Sequence, residues 1–302
     1  MQRFASTLVL RAAVGMVCSA AVIATGCGTE VRGQSSMDRN EPYVEPAPQA
    51  PVSSGVTPPP VHAVVDYQIG GAYPPAPGTG VVTRDRAEDP VEGVYSICYI
   101  NAFQAQPDES GFWEDRHPDL LLTTRDGRPV RDEEWDEPLL DISTADKRER
   151  LAAIVDGWMA DCADRGFKAV EPDNLDSWTR SGGRLTRDHA VEYSRLLAQN
   201  AHARGMAIAQ KNAAELTDAQ IRLIGFDFAV AEECQQYSWG TGTECDRYRS
   251  VYGVRVIEIE YSDGGTAAFT AACRERGDQI SVLLRDRDVV PRGADGYVNR
   301  SC

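Results

Sequence analysis

The sequence predicts an α/β fold, a (β/α)8 TIM barrel, on the basis of three observations. The chain has 302 residues, 42% of them hydrophobic, which suffices for one barrel of about 250 residues with extensions. Apolar segments alternate with helical segments along its second half, as in parallel βαβ units. The apolar segments total eight, the number that closes a barrel, and a doubly wound open sheet is the alternative fold.

Residues 1–27 are predicted to be a signal peptide with a lipobox-like end. Arg3 and Arg11 accompany an Ala-rich apolar run that is shorter than a typical membrane span. The run ends in Ala-Thr-Gly-Cys, which predicts lipidation of Cys27. Ordinary signal-peptidase cleavage nearby is the alternative. We therefore expect an exported protein, either a cell-surface lipoprotein or a secreted one, whose membrane contact is limited to a lipid anchor.

Residues 28–60 are predicted to form a disordered linker. They are rich in Pro, Ser, Gly, Gln and Glu, and they show no periodic apolar pattern. The folded domain is then expected to comprise residues 61–302.

Six cysteines follow the export segment, and an even number in an exported chain predicts disulfides. No pair has the C-x-x-C spacing of a zinc site, so no metal site is expected. Cys234 and Cys245 are close enough in sequence for a local disulfide, whereas the other pairings stay open. These six residues are Cys98, Cys162, Cys234, Cys245, Cys273 and Cys302.

The first three strands are predicted at residues 63–67, 80–83 and 95–100, the second being the weakest. The segment 70–80 between the first two is rich in Gly and Pro and too short for a helix. One crossover helix is therefore expected to be replaced by a loop.

Helices and strands then alternate regularly. A helix is predicted from Ser143, with its apolar residues at helical spacing, and Gly166 ends it as a C′ glycine does. A second helix opens at Thr186 and stops at Gly205. The five later strands are predicted at residues 167–170, 206–209, 226–230, 254–259 and 280–284.

Polar residues at the carboxyl ends of the strands are the candidate site, because barrel enzymes build their active sites there. Two carboxylates can divide acid, base or nucleophile roles across a glycosidic bond, while amides, Lys and aromatic rings bind sugars. Alternatively, these residues are turn and capping residues, or solvated acids and salt-bridge partners. The candidates are Asp66, Tyr67, Tyr99, Asp173, Asn174, Asp176, Lys211, Asn212, Glu232, Glu233, Glu260 and Tyr261.

Several other classes of protein are poorly supported. A net charge of -15 argues against a nucleic-acid partner. None of the four His residues directly follows a strand, which disfavours a Ser-His-Asp triad and a metal-dependent phosphodiesterase barrel. The sequence contains no G-x-S-x-G motif, P-loop or dinucleotide-binding loop. No cofactor is expected.

The strand-end motifs resemble those of glycoside hydrolase family 114, the endo-α-1,4-polygalactosaminidase-like TIM barrels. The longest is 166–176, Gly-Phe-Lys-Ala-Val-Glu-Pro-Asp-Asn-Leu-Asp. The others are 201–205 with Lys211-Asn212, then 226–234 with Tyr237 and Glu244-Cys245, then Glu260-Tyr261. The resemblance runs from about residue 63 to residue 286.

The resemblance implies that Asp173 and Glu232 are the catalytic carboxylates and that Cys234 pairs with Cys245. Asn174, Asp176, Lys211 and Glu260 would line the substrate cleft. The implied substrate is an α-1,4-linked galactosamine polymer such as partly deacetylated galactosaminogalactan, whose positive charge suits an acidic protein. Our hypothesis takes Glu232 as the proton donor and Asp173 as its partner, with exchanged roles or either stereochemical outcome still open.

Two segments depart from the family pattern. The loop 101–106 after the third strand differs from the Gly- and Glu-containing loop of much of the family, and the segment 108–138, with Trp113 and Trp135, is long. These departures affect the expected sugar contacts and leave both carboxylates in place. The changed loop 101–106 also motivates an alternative function, that of a non-catalytic lipoprotein that binds an amino-sugar polymer.

Overall fold

The computed structural model describes residues 50–302 and has the predicted fold class, a nearly closed parallel barrel. Eight strands, β1–β6, β9 and β10, follow one another around it in chain order, which excludes a doubly wound sheet. The strands are β1 (Val65–Gln68), β2 (Val81–Asp85), β3 (Tyr95–Asn101), β4 (Ala169–Asp173), β5 (Ala207–Lys211), β6 (Phe228–Glu232), β7 (Ser238–Trp239), β8 (Gly242–Thr243), β9 (Val256–Tyr261), β10 (Ser281–Arg285) and β11 (Asn299–Ser301).

Six α-helices are found in the described part of the chain. They are α1 (Ser110–Arg116), α2 (Ala145–Arg165), α3 (Arg187–Ala203), α4 (Asp218–Ile224), α5 (Glu244–Tyr252) and α6 (Ala267–Arg276). Thr144 and Thr186 cap the amino-terminal ends of α2 and α3 by accepting from backbone amides. Gly166 ends α2 in a left-handed conformation. The two long helices therefore lie where the sequence predicts them.

Side chains alternate along each strand between the barrel interior and the layer of helices. On β4, Ala169 lies in the interior cluster and Val170 lies in the cluster shared with the helices. Phe228 and Ile257 fill the interior from β6 and β9. This alternation decides which polar residue at each strand end can reach the barrel axis.

More connections lack a helix than the single one predicted. The connections from β1 to β2 and from β2 to β3 contain no α-helix, and β11 follows β10 antiparallel to it. The nine residues 86–94 between β2 and β3 include a Pro and a Gly and are too few for a packed crossover helix. Between β1 and β10, contacts include Ala63 N donating to Ser281 Oγ (3.0 Å) and Asn299 Nδ2 of β11 donating to Asp66 Oδ1 (2.8 Å).

A long insertion, residues 102–142, connects β3 to α2. It contains α1 and buries Trp113, and its extended segments pair at isolated bridges such as Arg131 with Pro138. The segment expected to alter sugar contacts is therefore an ordered part of the domain.

Residues 50–60, which the sequence assigns to the end of the linker, lie against the amino-terminal end of the barrel. Ala50 is buried and its amide donates to Val251 O (2.8 Å). Ser53 N donates to Asp227 Oδ1 (2.8 Å), and Tyr95 Oη donates to Thr57 O (2.6 Å). The folded unit thus includes these eleven residues, while Cys27 and the rest of the export and linker predictions lie outside the described residues.

Three disulfides cross-link the domain. Cys234 pairs with Cys245, as predicted, and the other pairs are Cys98 with Cys162 and Cys273 with Cys302. Three disulfides are typical of a protein that works outside the cytosol. No helix of the described residues is long and apolar enough to cross a bilayer.

Candidate active site

A cleft of about 900 Å³ opens at the carboxyl ends of the strands. Thirteen of the residues that line it are Asp or Glu, and the positively charged ones are Arg180, Lys211 and Arg287. This excess of carboxylates makes the cleft complementary to a cationic ligand.

Lys211, the last residue of β5, lies at the bottom of this cleft and is 1% exposed. Its Nζ lies 3.2 Å from Glu171 Oε1, 3.1 Å from Asp173 Oδ1 and 3.3 Å from Glu232 Oε1. Burial alone would lower the pKa of Lys211, but these three carboxylates outweigh it and hold the pKa well above its ordinary value. A buried ammonium group therefore joins the two predicted catalytic carboxylates.

Asp173 ends β4 and faces the barrel axis. Tyr99 Oη donates to its Oδ2 (2.8 Å), and the Asn174 amide donates to its Oδ1 (2.7 Å). Burial would raise the pKa of Asp173, but the charge of Lys211 and these hydrogen bonds lower it below its ordinary value. Asp173 is therefore a carboxylate anion at neutral pH.

Glu232 ends β6 on the same side of the barrel. Tyr261 Oη donates to its Oε1 (2.6 Å), and Asn212 Nδ2 donates to its Oε2 (3.0 Å). Asn212 also accepts from the Glu232 amide through its Oδ1 (2.8 Å), so its side chain binds both the carboxylate and the backbone of Glu232. These contacts fix one orientation of the Glu232 side chain beside Lys211.

Glu171 is a site residue that is absent from the strand-end candidates predicted by the sequence. It lies two positions before Asp173 on the same face of β4, is fully buried, and accepts from Tyr67 Oη (2.6 Å). Burial raises its pKa to about 7, although Lys211 opposes the shift. The alternation of β4 could have identified it, had the strand been extended to Asp173.

Most of the predicted residues are brought together. Tyr67 lies below the cleft against Lys211 (3.3 Å from Oη to Nζ), and nine of the predicted residues line the cleft. Those that line it are Tyr99, Asp173, Asn174, Asp176, Lys211, Asn212, Glu232, Glu233 and Tyr261.

Asp66 and Glu260 are placed elsewhere. Each lies next to an inward-facing Tyr on its strand, so each points away from the barrel axis. Asp66 accepts from Tyr73 Oη (2.5 Å), and Glu260 accepts from the Gln235 amide (3.0 Å) and from Gln236 Nε2 (3.1 Å). Both therefore hold neighbouring loops in place and do not line the cleft.

The chain turns sharply after β4, β5 and β6. Asn174, Asn212 and Glu233, the residues after Asp173, Lys211 and Glu232, have φ values of 65°, 50° and 55°. Asn tolerates this left-handed region, whereas Glu does so rarely. Arg287 stabilises Glu233 in this conformation by donating two hydrogen bonds, of 2.7 Å and 3.0 Å, to its carboxylate.

Further lining residues come from the insertion and the loops. Asn101 Nδ2 donates to Glu137 Oε2 (2.8 Å), and burial raises the pKa of Glu137 to about 7. Arg180 donates to Asn174 Oδ1 (3.1 Å) and Asp176 Oδ1 (2.9 Å). No strand-end position marks Arg180 or Glu137, so sequence pattern alone could not have found them.

One buried group has the composition of a metal site but cannot act as one. Cys234, Cys245, Glu258 and Glu260 lie close together, but the two sulfurs form a disulfide and Glu258 is paired with Arg276 (2.6 Å). A thiolate is needed for such a site, and a disulfide sulfur is not a thiolate.

A TIM-like barrel with two carboxylates side by side at the carboxyl end of its strands, both in contact with one buried lysine, has the architecture of a glycoside hydrolase. Comparison with family models identifies which one: the model of glycoside hydrolase family GH114 matches residues 45–302, and the chain belongs to this family. The resemblance seen in the strand-end motifs is confirmed, and so is the prediction of a glycoside hydrolase.

Solved structures show the same fold. Ega3 from Aspergillus fumigatus, in complex with galactosamine, superposes with a TM-score of 0.63 at 21% identity, covering 82% of this chain and 98% of that one. The glycoside hydrolase domain of PelA from Pseudomonas aeruginosa gives 0.51 at 14% identity, covering 77% and 97%. No curated protein sequence matches the chain.

Proposed function

We propose that the protein is an exported enzyme that cleaves α-1,4-linked galactosamine-containing polysaccharide. The observation that carries the proposal is the contact of Asp173 and Glu232 with one buried ammonium group in a cleft whose lining carries thirteen acids and three basic residues. A polymer of galactosamine is cationic near neutral pH, so opposite charge favours its binding there. The complex of Ega3 with galactosamine supports an amino-sugar ligand.

In this proposal Asp173 is the nucleophile and Glu232 is the acid and base. The lowered pKa of Asp173 keeps it ionised, as a nucleophile requires. Asp173 would attack the anomeric carbon while Glu232 protonates the departing glycosidic oxygen, which gives a glycosyl ester on Asp173. Glu232, now ionised, would then remove a proton from the water that cleaves this ester, so that Asp173 is freed and Glu232 is protonated again. Lys211 would stabilise the Asp173 anion before attack.

A nucleophilic Asp173 implies retention of configuration, because the covalent intermediate is displaced by water in a second step that inverts the anomeric carbon again. Both carboxylates contact Lys211 Nζ, at 3.1 Å and 3.3 Å, so they lie beside each other at the bottom of the cleft. We therefore expect the first product to keep the α configuration, which proton NMR of the new reducing end would show.

The export segment gives the proposal a cellular setting. Lipidation of Cys27 would hold the enzyme at the cell surface, where such polymers occur, and cleavage without lipidation would release it. The three disulfides are compatible with both.

The test is the release of reducing ends from partly deacetylated α-1,4-galactosaminogalactan by residues 50–302. Asp173→Asn and Glu232→Gln should each lower kcat by at least about 10³-fold, since each removes a group that acts on the reacting bond. Glu149→Gln, an exposed carboxylate on α2, is the matched control and should keep wild-type activity.

Two outcomes would contradict the proposal. A folded Asp173→Asn or Glu232→Gln variant with full activity would remove that residue from the mechanism. A wild-type protein that binds the polymer tightly and releases no product would instead be the non-catalytic binding lipoprotein.

A further inference from the structure

An exposed tryptophan lies at the edge of the cleft, on a turn of the insertion. Trp135 is 46% exposed and lines the cleft together with Glu134 and Glu137. A large aromatic side chain left in water at the rim of a polar cleft is typical of a binding surface. Sugar rings offer such a side chain an apolar face of C–H groups, and an ammonium group is also attracted to the face of Trp.

The turn that carries Trp135 is fixed. Asp132, 3% exposed, accepts from the Glu134 amide (2.8 Å) and the Trp135 amide (3.2 Å) through its Oδ1. Its Oδ2 lies 2.7 Å from Arg180 Nε, and Arg180 also donates to Asn174. Because Asn174 follows Asp173, this chain of contacts holds the backbone of the turn that carries Trp135 in a set position relative to Asp173. A platform ordered before binding loses less entropy when a ligand docks.

Glu137 lies beside this platform and supplies a polar contact. Asn101 donates to its Oε2, and no hydrogen bond from the described residues reaches its Oε1. The free oxygen can accept from an amino or hydroxyl group of a sugar stacked on Trp135.

A second exposed aromatic side chain, Tyr237, lines the cleft from the loop after β6 and is 55% exposed. The lining of the cleft therefore includes two exposed aromatic side chains, Trp135 from the insertion and Tyr237 from the loop after β6.

We propose that Trp135 and Glu137 form a sugar-binding subsite beyond the catalytic centre, which takes one amino-sugar unit of the polymer by stacking on Trp135. This subsite rests on the proposed function for the identity of its sugar. It places a specificity determinant on the insertion, the segment in which this chain departs from the family pattern.

The experiment compares Trp135→Ala, Trp135→Phe and Trp239→Ala in residues 50–302. Trp239 is also exposed, at 39%, and is not among the residues that line the cleft, so it is the matched control. On galactosamine oligomers long enough to reach the subsite, Trp135→Ala should raise KM about tenfold with little change in kcat. Trp135→Phe should restore most of the affinity, because it keeps an aromatic face.

Binding is measured separately so that the two proposals can fail separately. In the Asp173→Asn background, which is expected to be inactive, Trp135→Ala should weaken polymer binding about tenfold in affinity electrophoresis. The wild-type Trp emission should shift on binding, and this shift should shrink in Trp135→Phe.

Equal KM and polymer affinity for Trp135→Ala and Trp239→Ala would overturn the subsite even if the enzyme cleaves the polymer. If the wild-type protein releases no product but Trp135→Ala still weakens its binding of the polymer, the subsite is supported and the hydrolase is contradicted. Absence of any binding would overturn both. Near-ultraviolet circular dichroism of each variant checks that it is folded.

Discussion

Lys211 controls the electrostatics of the cleft at the scale of single residues, because one buried cation faces three carboxylates. Its charge is a main cause that lowers the pKa of Asp173. Replacing Lys211 alone would leave buried anions without a counter-charge, which costs far more unfolding free energy than replacing both partners of an ion pair.

We expect Lys211→Met to shift the acidic limb of the pH–rate profile to higher pH. Without Lys211 the pKa of Asp173 rises, so a larger fraction is protonated and inactive at a given acidic pH. The variant should also lose about 3–5 kcal/mol of unfolding free energy. The profile of kcat/KM and urea unfolding measure the two effects.

Lys168→Met is the matched control, because Lys168 is exposed and its replacement should leave both the acidic limb and the unfolding free energy unchanged. An unshifted acidic limb in a folded Lys211→Met variant would contradict the role given to its charge.

The sequence predicts well which residues lie at strand ends, but it predicts less well whether their side chains point toward the barrel axis. Asp173, Lys211, Glu232 and Tyr261 were found because parallel strands bring their carboxyl ends together. The sequence misses Glu171 because the predicted strand ends at Val170, three residues before the end of β4, and it includes Glu260 although that residue points outward. Neighbouring residues of a strand point to opposite faces of the sheet, and spacing along the sequence does not show which of the two points inward.

At the scale of elements, capping signals made the helices predictable and missing signals made the loops harder. Thr144 and Gly166, at the two ends of α2, stand near the boundaries that the sequence predicts. The connection 86–94 carries no helical pattern, but its role as a crossover became clear only when β2 and β3 were seen to pair in parallel. The fold class was predictable because it depends on strand number and alternation, whereas the order of the insertion depends on tertiary packing.

Two disulfides offer a comparison between stability and catalysis. Replacing Cys273 and Cys302 together by Ser should lower the unfolding free energy by about 3 kcal/mol and leave kcat unchanged, because the pair joins α6 to the chain end. Replacing Cys234 and Cys245 should lower both quantities, because Cys234 lies two residues after Glu232. Urea unfolding and initial rates measure the effects. Equal kcat in the two double variants would show that the local disulfide does not position Glu232.

At the scale of the whole molecule, buried acids should make the protein more stable in mildly acidic solution. Burial raises the pKa values of Glu137, Glu171 and Glu260 from 4.5 to about 7. A raised pKa of an acid stabilises the fold below about pH 4.5, and the benefit is lost as the pH rises through 7. Acids with lowered pKa values, such as Asp173 and Asp227, stabilise the fold at neutral pH. This contribution is lost only as the pH falls below about 4.

We therefore expect the thermal midpoint of unfolding to be several degrees higher at pH 5 than at pH 7.5. For a domain of this size, each kcal/mol of unfolding free energy shifts the midpoint by roughly 2–4 °C. Calorimetry at the two values of pH measures the difference. Glu171→Gln should reduce it, since a neutral amide cannot titrate, and Glu149→Gln should not. A midpoint that rises toward pH 7.5 would contradict the assignment of these buried acids.

The position of residues 50–60 beneath the barrel has a consequence for how the molecule can be presented to a substrate. Ala50 lies at the amino-terminal ends of the strands, and the cleft opens at their carboxyl ends. A resin or a sensor chip coupled ahead of Ala50 would therefore leave the cleft facing the bulk solution. Coupling through the insertion 102–142 would instead bring the support against the cleft, so the orientation of an immobilised catalyst is decided by the end at which it is attached.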